Sequence, residues 1–66
     1  MQLKILRVMA RKTQAEAAEA AGVRQSVVSD WENGKYKPSP AAREKLAEAY
    51  GVSLAEIVKA VEAGDN

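Results

Sequence analysis

Signals that start and stop helices recur along this chain and divide it into five short segments. Thr13 and Ser53 each precede a glutamate by three positions, which is the capping-box spacing in which side chains and backbone amides satisfy one another. Gly22, Gly34 and Gly51 follow three of the segments, and glycine enters the left-handed conformation that ends a helix without steric cost. The punctuation therefore predicts a bundle of short helices.

The rest of the sequence supports an all-α fold class. Alanine is abundant and no apolar/polar alternation typical of strands occurs. A chain of 66 residues has room for one domain, residues 1–66, and its small core makes self-association a useful supplement. The five predicted helices cover residues 2–10, Thr13 to Gly22, Gln25 to Glu32, Ser39 to Gly51 and Ser53 to Gly64.

Composition excludes most chemistry. The chain has no cysteine and no histidine, so disulfides, thiol catalysis, Cys/His metal sites and the usual general base near neutral pH are absent. We therefore expect neither an enzyme nor a metal or other cofactor. Apolar runs are too short for a membrane span or a signal peptide, which predicts a soluble cytoplasmic protein without a membrane partner.

Charge is distributed unevenly although the net charge is only +1. Residues 1–43 carry eight basic and four acidic side chains, a net +4, whereas residues 44–66 carry two basic and five acidic ones, a net −3. The basic part is a candidate for phosphate binding and the acidic part for protein contact. A solvated surface with uneven charge explains the split equally well.

The second and third predicted helices, with the turn at Gly22, span the length of a helix-turn-helix unit. Sequence detail in this region resembles the phage repressor and Cro-like regulators of the XRE family, and the resemblance covers roughly residues 3–58. The matching elements are Thr13-Gln14, Ala18, Gly22-Val23, Val28-Ser29, Trp31-Glu32-Asn33-Gly34, Pro38-Ser39, Leu46-Ala47, Gly51-Val52-Ser53-Leu54 and Glu56-Ile57.

This resemblance implies a compact five-helix, lambda-repressor-like domain. Helix three would lie in the DNA major groove and helix two would cross above the backbone. The implied function is that of a sequence-specific transcriptional regulator, a repressor that binds double-stranded DNA at an inverted repeat as a homodimer. Phage repressor, restriction-modification controller and antitoxin all remain open within this reading.

Helix three starts with side chains that suit base edges. Glutamine pairs with adenine through two hydrogen bonds, arginine reaches guanine or a phosphate, and serine donates or accepts. Asp30 matches a base-reading position of the family, where its carboxylate would accept from cytosine N4, but a solvated carboxylate repelled by phosphate is an equal interpretation. The predicted base-reading residues are Arg24, Gln25, Ser26, Ser29 and Asp30.

Other polar residues are predicted to hold the DNA backbone, which fixes register without reading sequence. Gln14 begins helix two, where the family's equivalent glutamine contacts a phosphate. Tyr36 either adds a hydroxyl contact to phosphate or packs on the loop. The predicted phosphate-binding residues are Gln14, Asn33, Lys35, Lys37 and Arg43.

The remaining assignments are structural. In the family, the positions of Arg7 and Glu32 form a partly buried ion pair between helices one and three. Val58 and Val61, in the acidic part of the chain, are the predicted dimer interface. The predicted core consists of Leu6, Val23, Val28, Trp31, Leu46, Leu54 and Ile57.

The sequence departs from the family pattern at several positions. Arg11 and Lys12 stand where glycine and an apolar residue are common, and they add positive charge beside the predicted DNA face. Ala17 stands where leucine is common, and Val27 replaces a frequent hydroxyl residue. With Ala21, Ala17 implies close helix approach or lower stability.

A second class of function also fits the sequence: a protein-interaction module that kept the fold, such as an antitoxin-like or coactivator-like adaptor with a toxin or other protein partner. Asp30 and the low net charge favour this alternative. The basic loop and the pair Gln14 and Gln25 oppose it.

Overall fold

The computed structural model describes the backbone of residues 2–63 and the side chains of residues 3–62. Within that range the chain forms five helices and no strand, which confirms the predicted all-α fold. The helices are α1 (Gln2–Met9), α2 (Gln14–Ala21), α3 (Gln25–Glu32), α4 (Pro40–Tyr50) and α5 (Leu54–Ala63). The predicted end of the last helix at Gly64 lies outside the described residues.

Side-chain caps fix where three helices begin. At α2, the Glu16 amide donates to Thr13 Oγ1 at 3.0 Å and the Thr13 amide donates to Glu16 Oε1 at 2.9 Å, a complete capping box. The bond from the Thr13 amide lowers the pKa of the Glu16 carboxyl. Ser39 and Ser53 accept from backbone amides three residues on, at 3.2 and 3.1 Å, so the predicted starts are correct.

Helix ends follow the glycines with one exception. Gly22 and Gly51 adopt φ of +73° and +69°, as the left-handed C-cap requires. After α1, however, the left-handed residue is Arg11, with φ of +60°. A residue with a Cβ pays roughly 1–2 kcal/mol in this conformation, which explains why glycine is common at this position in the family. The predicted helix 2–10 is one residue too long.

Small side chains let α2 pack closely on α3 and α4. Ala17, Ala18 and Ala21 are all buried, and Ala17 is completely inaccessible. Their neighbours in the core include the fully buried Leu46 and Val28. Because an alanine needs no space beyond its methyl group, the substitution of alanine for the family's usual leucine brings the helix backbones together.

The structure corrects the orientation predicted for α5. Leu54 was expected in the core but is 42% exposed, whereas Val61 was expected at a dimer surface but is only 8% exposed. The inward stripe of α5 consists of Ile57, Ala60 and Val61, at the three- and four-residue spacing of one helix face. Leu54 and the half-buried Val58 lie toward the edge of that face.

Tyr50, at the end of α4, is a buried residue that the sequence analysis did not single out. It is 6% exposed, and its hydroxyl has no hydrogen-bond partner in the described part of the chain. Burial raises the pKa of Tyr50 to about 12, the negative charge of Glu32 adds to the rise, and Arg7 opposes it. The phenol therefore stays neutral, at the cost of an unsatisfied polar group.

Replacing Tyr50 with phenylalanine should leave the free energy of unfolding at pH 7 unchanged or raise it by about 1 kcal/mol, since an unsatisfied buried hydroxyl is removed. The folded state holds the Tyr50 proton above the ordinary tyrosine pKa, so wild-type stability should fall as pH rises from about 10 toward 12. Tyr50→Phe should lose this part of the alkaline sensitivity.

Urea unfolding followed by the fluorescence of Trp31 measures both effects. Tyr36→Phe is the matched control, because Tyr36 is 49% exposed. A loss of several kcal/mol in Tyr50→Phe at pH 7 would show that the hydroxyl is bonded and would contradict this account.

Candidate nucleic-acid interface

Helices α2 and α3 form a helix-turn-helix. The turn passes through Gly22, and the Val23 amide donates to the Ala18 carbonyl at 3.0 Å. Arg24 is the N-cap of α3 in an extended conformation, and its side chain makes no capping hydrogen bond. The guanidinium at the start of α3 is therefore not used in holding the helix.

The predicted base-reading residues share the outer side of α3. Arg24, Gln25 and Ser26 are exposed, and Ser29 and Asp30 are half-buried one turn later. The opposite face packs into the protein through Val28, Trp31 and Glu32, all of which are buried. Since positions four apart neighbour one another on a helix, the five polar side chains form one outward stripe.

A buried ion pair fixes α3 against α1. Arg7 Nε donates to Glu32 Oε2 at 2.6 Å and Arg7 Nη2 donates to Glu32 Oε1 at 3.3 Å, so the contact is bidentate. Arg7 is 9% exposed and Glu32 is 2% exposed. The structure thus contains the pair that the resemblance implied.

Two further hydrogen bonds extend this pair to other elements. Arg7 Nη1 donates to the Lys12 carbonyl at 2.8 Å, and Gln14 Nε2 donates to Glu32 Oε1 at 3.0 Å. The arrangement, which we call the Arg7–Glu32 network, comprises Arg7, Lys12, Gln14 and Glu32. It joins α1, the turn after it, the start of α2 and the end of α3.

Gln14 has an inward contact that sequence reasoning missed. Its amide nitrogen uses one of two protons on Glu32, and its side chain is half-buried. No sequence signal reports this contact, because it depends on how α2 crosses α3. The predicted phosphate contact of Gln14 remains a prediction, and only its second amide proton and its carbonyl oxygen are left for it.

The other predicted phosphate-binding residues also have partners within the protein. Lys35 Nζ lies 3.6 Å from Asp30 Oδ1, and Lys37 Nζ lies 4.0 Å from Glu62 Oε2. Both lysines are well exposed, so these ion pairs are weak and break easily. Hydrogen bonds within the protein also hold Asn33 Nδ2 to Ser29 Oγ and Arg43 Nε to the Pro38 carbonyl.

The Asp30–Lys35 pair joins two residues for which separate roles were predicted. Asp30 was expected to meet a base and Lys35 a phosphate, yet each neutralises the other in the free protein. Both roles remain predictions.

No group of three or more His, Cys, Asp or Glu side chains in the described range is placed to hold a metal ion. A separate finding concerns helix length: none of the helices within residues 2–63 is long and apolar enough to cross a membrane.

Comparison with known proteins decides the family. A family model described as helix-turn-helix matches residues 3–57, which include all of α1 to α4. The chain belongs to the Cro/C1-type helix-turn-helix family, the XRE family. No curated protein and no solved structure matches the chain. Family membership makes the protein a DNA-binding helix-turn-helix regulator.

In this member of the XRE family, the Arg7–Glu32 network should be coupled energetically. Arg7→Met or Glu32→Leu alone leaves one buried charge unpaired and should cost about 3–5 kcal/mol. The double variant should be more stable than either single variant, since it buries no charge. Urea unfolding of the four proteins gives the coupling energy.

Additive losses in the double variant would mean that the two side chains do not stabilise one another. Lys4→Met serves as a control, because it removes an exposed positive charge from the same helix.

Proposed function

We propose that this XRE-family protein is a sequence-specific transcriptional repressor that inserts α3 into the DNA major groove. The carrying observation is the division of α3 into two faces. Glu32, Trp31 and Val28 are buried on one side, whereas the outward stripe that begins with Gln25 presents hydrogen-bonding groups. The Arg7–Glu32 network holds the helix by its end, so the outward stripe has a fixed direction. The proposal implies a cytoplasmic site of action, where DNA is accessible.

The residues around this stripe supply the backbone contacts of the proposed complex. Lys35 exchanges Asp30 for a phosphate at little cost, because an exposed ion pair contributes only ~0.2–1 kcal/mol. Asp30 is then free to accept from cytosine N4. The proposed phosphate-binding set is Gln14, Asn33, Lys35, Lys37 and Arg43.

Two substitutions separate base reading from anchoring. Gln25→Ala should cost about 1–3 kcal/mol on the operator and change nonspecific binding little, because a bidentate base contact is lost. Lys37→Ala should weaken binding to every sequence and reduce the salt slope by about one, because one phosphate contact is lost. The measurement is fluorescence anisotropy at several salt concentrations, on an operator selected from a random duplex pool and on a scrambled duplex.

The proposal fails if Gln25→Ala and Lys37→Ala lower specific and nonspecific affinity in the same proportion. In that case α3 does not read bases through Gln25.

We also propose that the repressor binds an inverted repeat as a homodimer. One α3 meets only a few base pairs, and two-fold symmetry doubles the site. The original pair of Val58 and Val61 needs revision, because Val61 is part of the core. Val58 remains a candidate, and Leu54, one turn earlier and 42% exposed, completes an apolar edge on α5.

Leu54→Asp should therefore abolish cooperative loading of two protomers while leaving the free energy of unfolding near the wild-type value. An acidic residue in the first turn of a helix is favourable, and the side chain it replaces is largely exposed. Analytical ultracentrifugation and footprinting on half-sites about 10 bp apart provide the readouts. Ile5→Asp is the matched control on α1, where Ile5 is 48% exposed. Unchanged cooperativity in Leu54→Asp would exclude this surface.

One observation favours a protein-interaction module as a second candidate function. Ile5, Val8 and Met9 are 48%, 55% and 74% exposed along one side of α1, and a run of exposed apolar side chains marks protein contact sites. A partner such as a toxin would cover them. Salt-dependent binding to random duplex DNA distinguishes the two functions, since a module that lost DNA binding gives none.

A further inference from the structure

Arg11 occupies a conformation that glycine would adopt more easily. Within the described residues it is the one non-glycine residue with positive φ. Its side chain is exposed, so no packing rewards the strain. Strained backbone of this kind concentrates at functional positions, where the side chain compensates for the cost.

The turn that carries Arg11 is firmly held. The Arg11 amide donates to the Val8 carbonyl at 2.9 Å and the Lys12 amide donates to the Arg7 carbonyl at 3.1 Å. The Lys12 carbonyl accepts from Arg7 Nη1 at 2.8 Å. Through Arg7, the turn is tied to Glu32 at the end of α3. The backbone of Arg11 therefore has a fixed position relative to the outward stripe.

The guanidinium of Arg11 is not committed to a partner inside the protein. Among the ion pairs of the described side chains, one joins Lys35 to Asp30 and another joins Lys37 to Glu62, and none includes Arg11. The nearest element along the chain is the start of α2, where Gln14 is a proposed phosphate contact. Arg11 thus adds an available positive charge at the same end of α2.

We propose that Arg11 binds a DNA phosphate beside Gln14 and extends the backbone contacts to the turn between α1 and α2. This inference rests on the proposed function. The stabilisation that glycine would provide is exchanged for a charge that holds the duplex. A guanidinium is suited to this task because its donors match two phosphate oxygens.

The proposal predicts that stability and affinity move in opposite directions in Arg11→Gly. Relief of the left-handed strain should raise the melting temperature by about 4–8 °C. Loss of one phosphate contact should reduce the salt slope of nonspecific DNA binding by about 0.9 and weaken affinity several-fold. A residue with a purely structural role would lower both properties together or leave affinity unchanged.

The experiment measures anisotropy of a fluorescent 20-bp random-sequence duplex between about 50 and 200 mM salt, with thermal unfolding in parallel. Arg11→Lys keeps both charge and strain, so it should retain the wild-type salt slope. Lys59→Ala is the control for net charge, because Lys59 is exposed on α5, and it should also retain the slope.

An unchanged slope in Arg11→Gly, or a loss equal to that of Lys59→Ala, overturns the assignment of Arg11 while the proposed function stands. If the wild-type protein itself shows no salt-dependent binding, the proposed function fails and the assignment fails with it.

Discussion

The ion pair between Arg7 and Glu32 is the interaction on which the rest of the structure depends. Removing two charges from water costs several kcal/mol per ion unless geometry and further hydrogen bonds compensate. Here the contact is bidentate, Arg7 also binds the Lys12 carbonyl, and Glu32 also accepts from Gln14. Because these bonds connect four parts of the chain, the position of α3 and the shape of the turn before α2 are determined together.

A very small core makes that dependence acute. Alanines on α2 bring the helices close, and the largest fully buried side chains are Leu46, Ile57 and Val28. Apolar burial alone leaves such a domain marginally stable. Against this background the chain retains two unfavourable features, the unsatisfied hydroxyl of Tyr50 and the left-handed Arg11. Arg11 lies next to the proposed DNA face, which is the pattern expected where function is exchanged for stability.

Local signals predicted the helices because caps and glycines act within a few residues of one another. The pairing of Arg7 with Glu32 came from the family resemblance, since nothing local joins positions so far apart. Three features were beyond both sources: the contact of Gln14 with Glu32, the pairing of Asp30 with Lys35, and the rotation of α5 that exposes Leu54 and buries Val61. Each depends on how helices cross, and apolar spacing constrains helix rotation only to within about one neighbouring position.

The central claim is that the outward stripe of α3 and its flanking turns meet DNA while α3 is held from behind by Glu32. Amide chemical-shift mapping of the labelled protein during titration with an operator duplex tests it most directly. The account predicts the largest changes at the start of α2, along residues 24–30 and in the loop at residues 33–37, with small changes in the buried face of α4. Changes confined to the exposed side of α1, or none at saturating DNA, would contradict it.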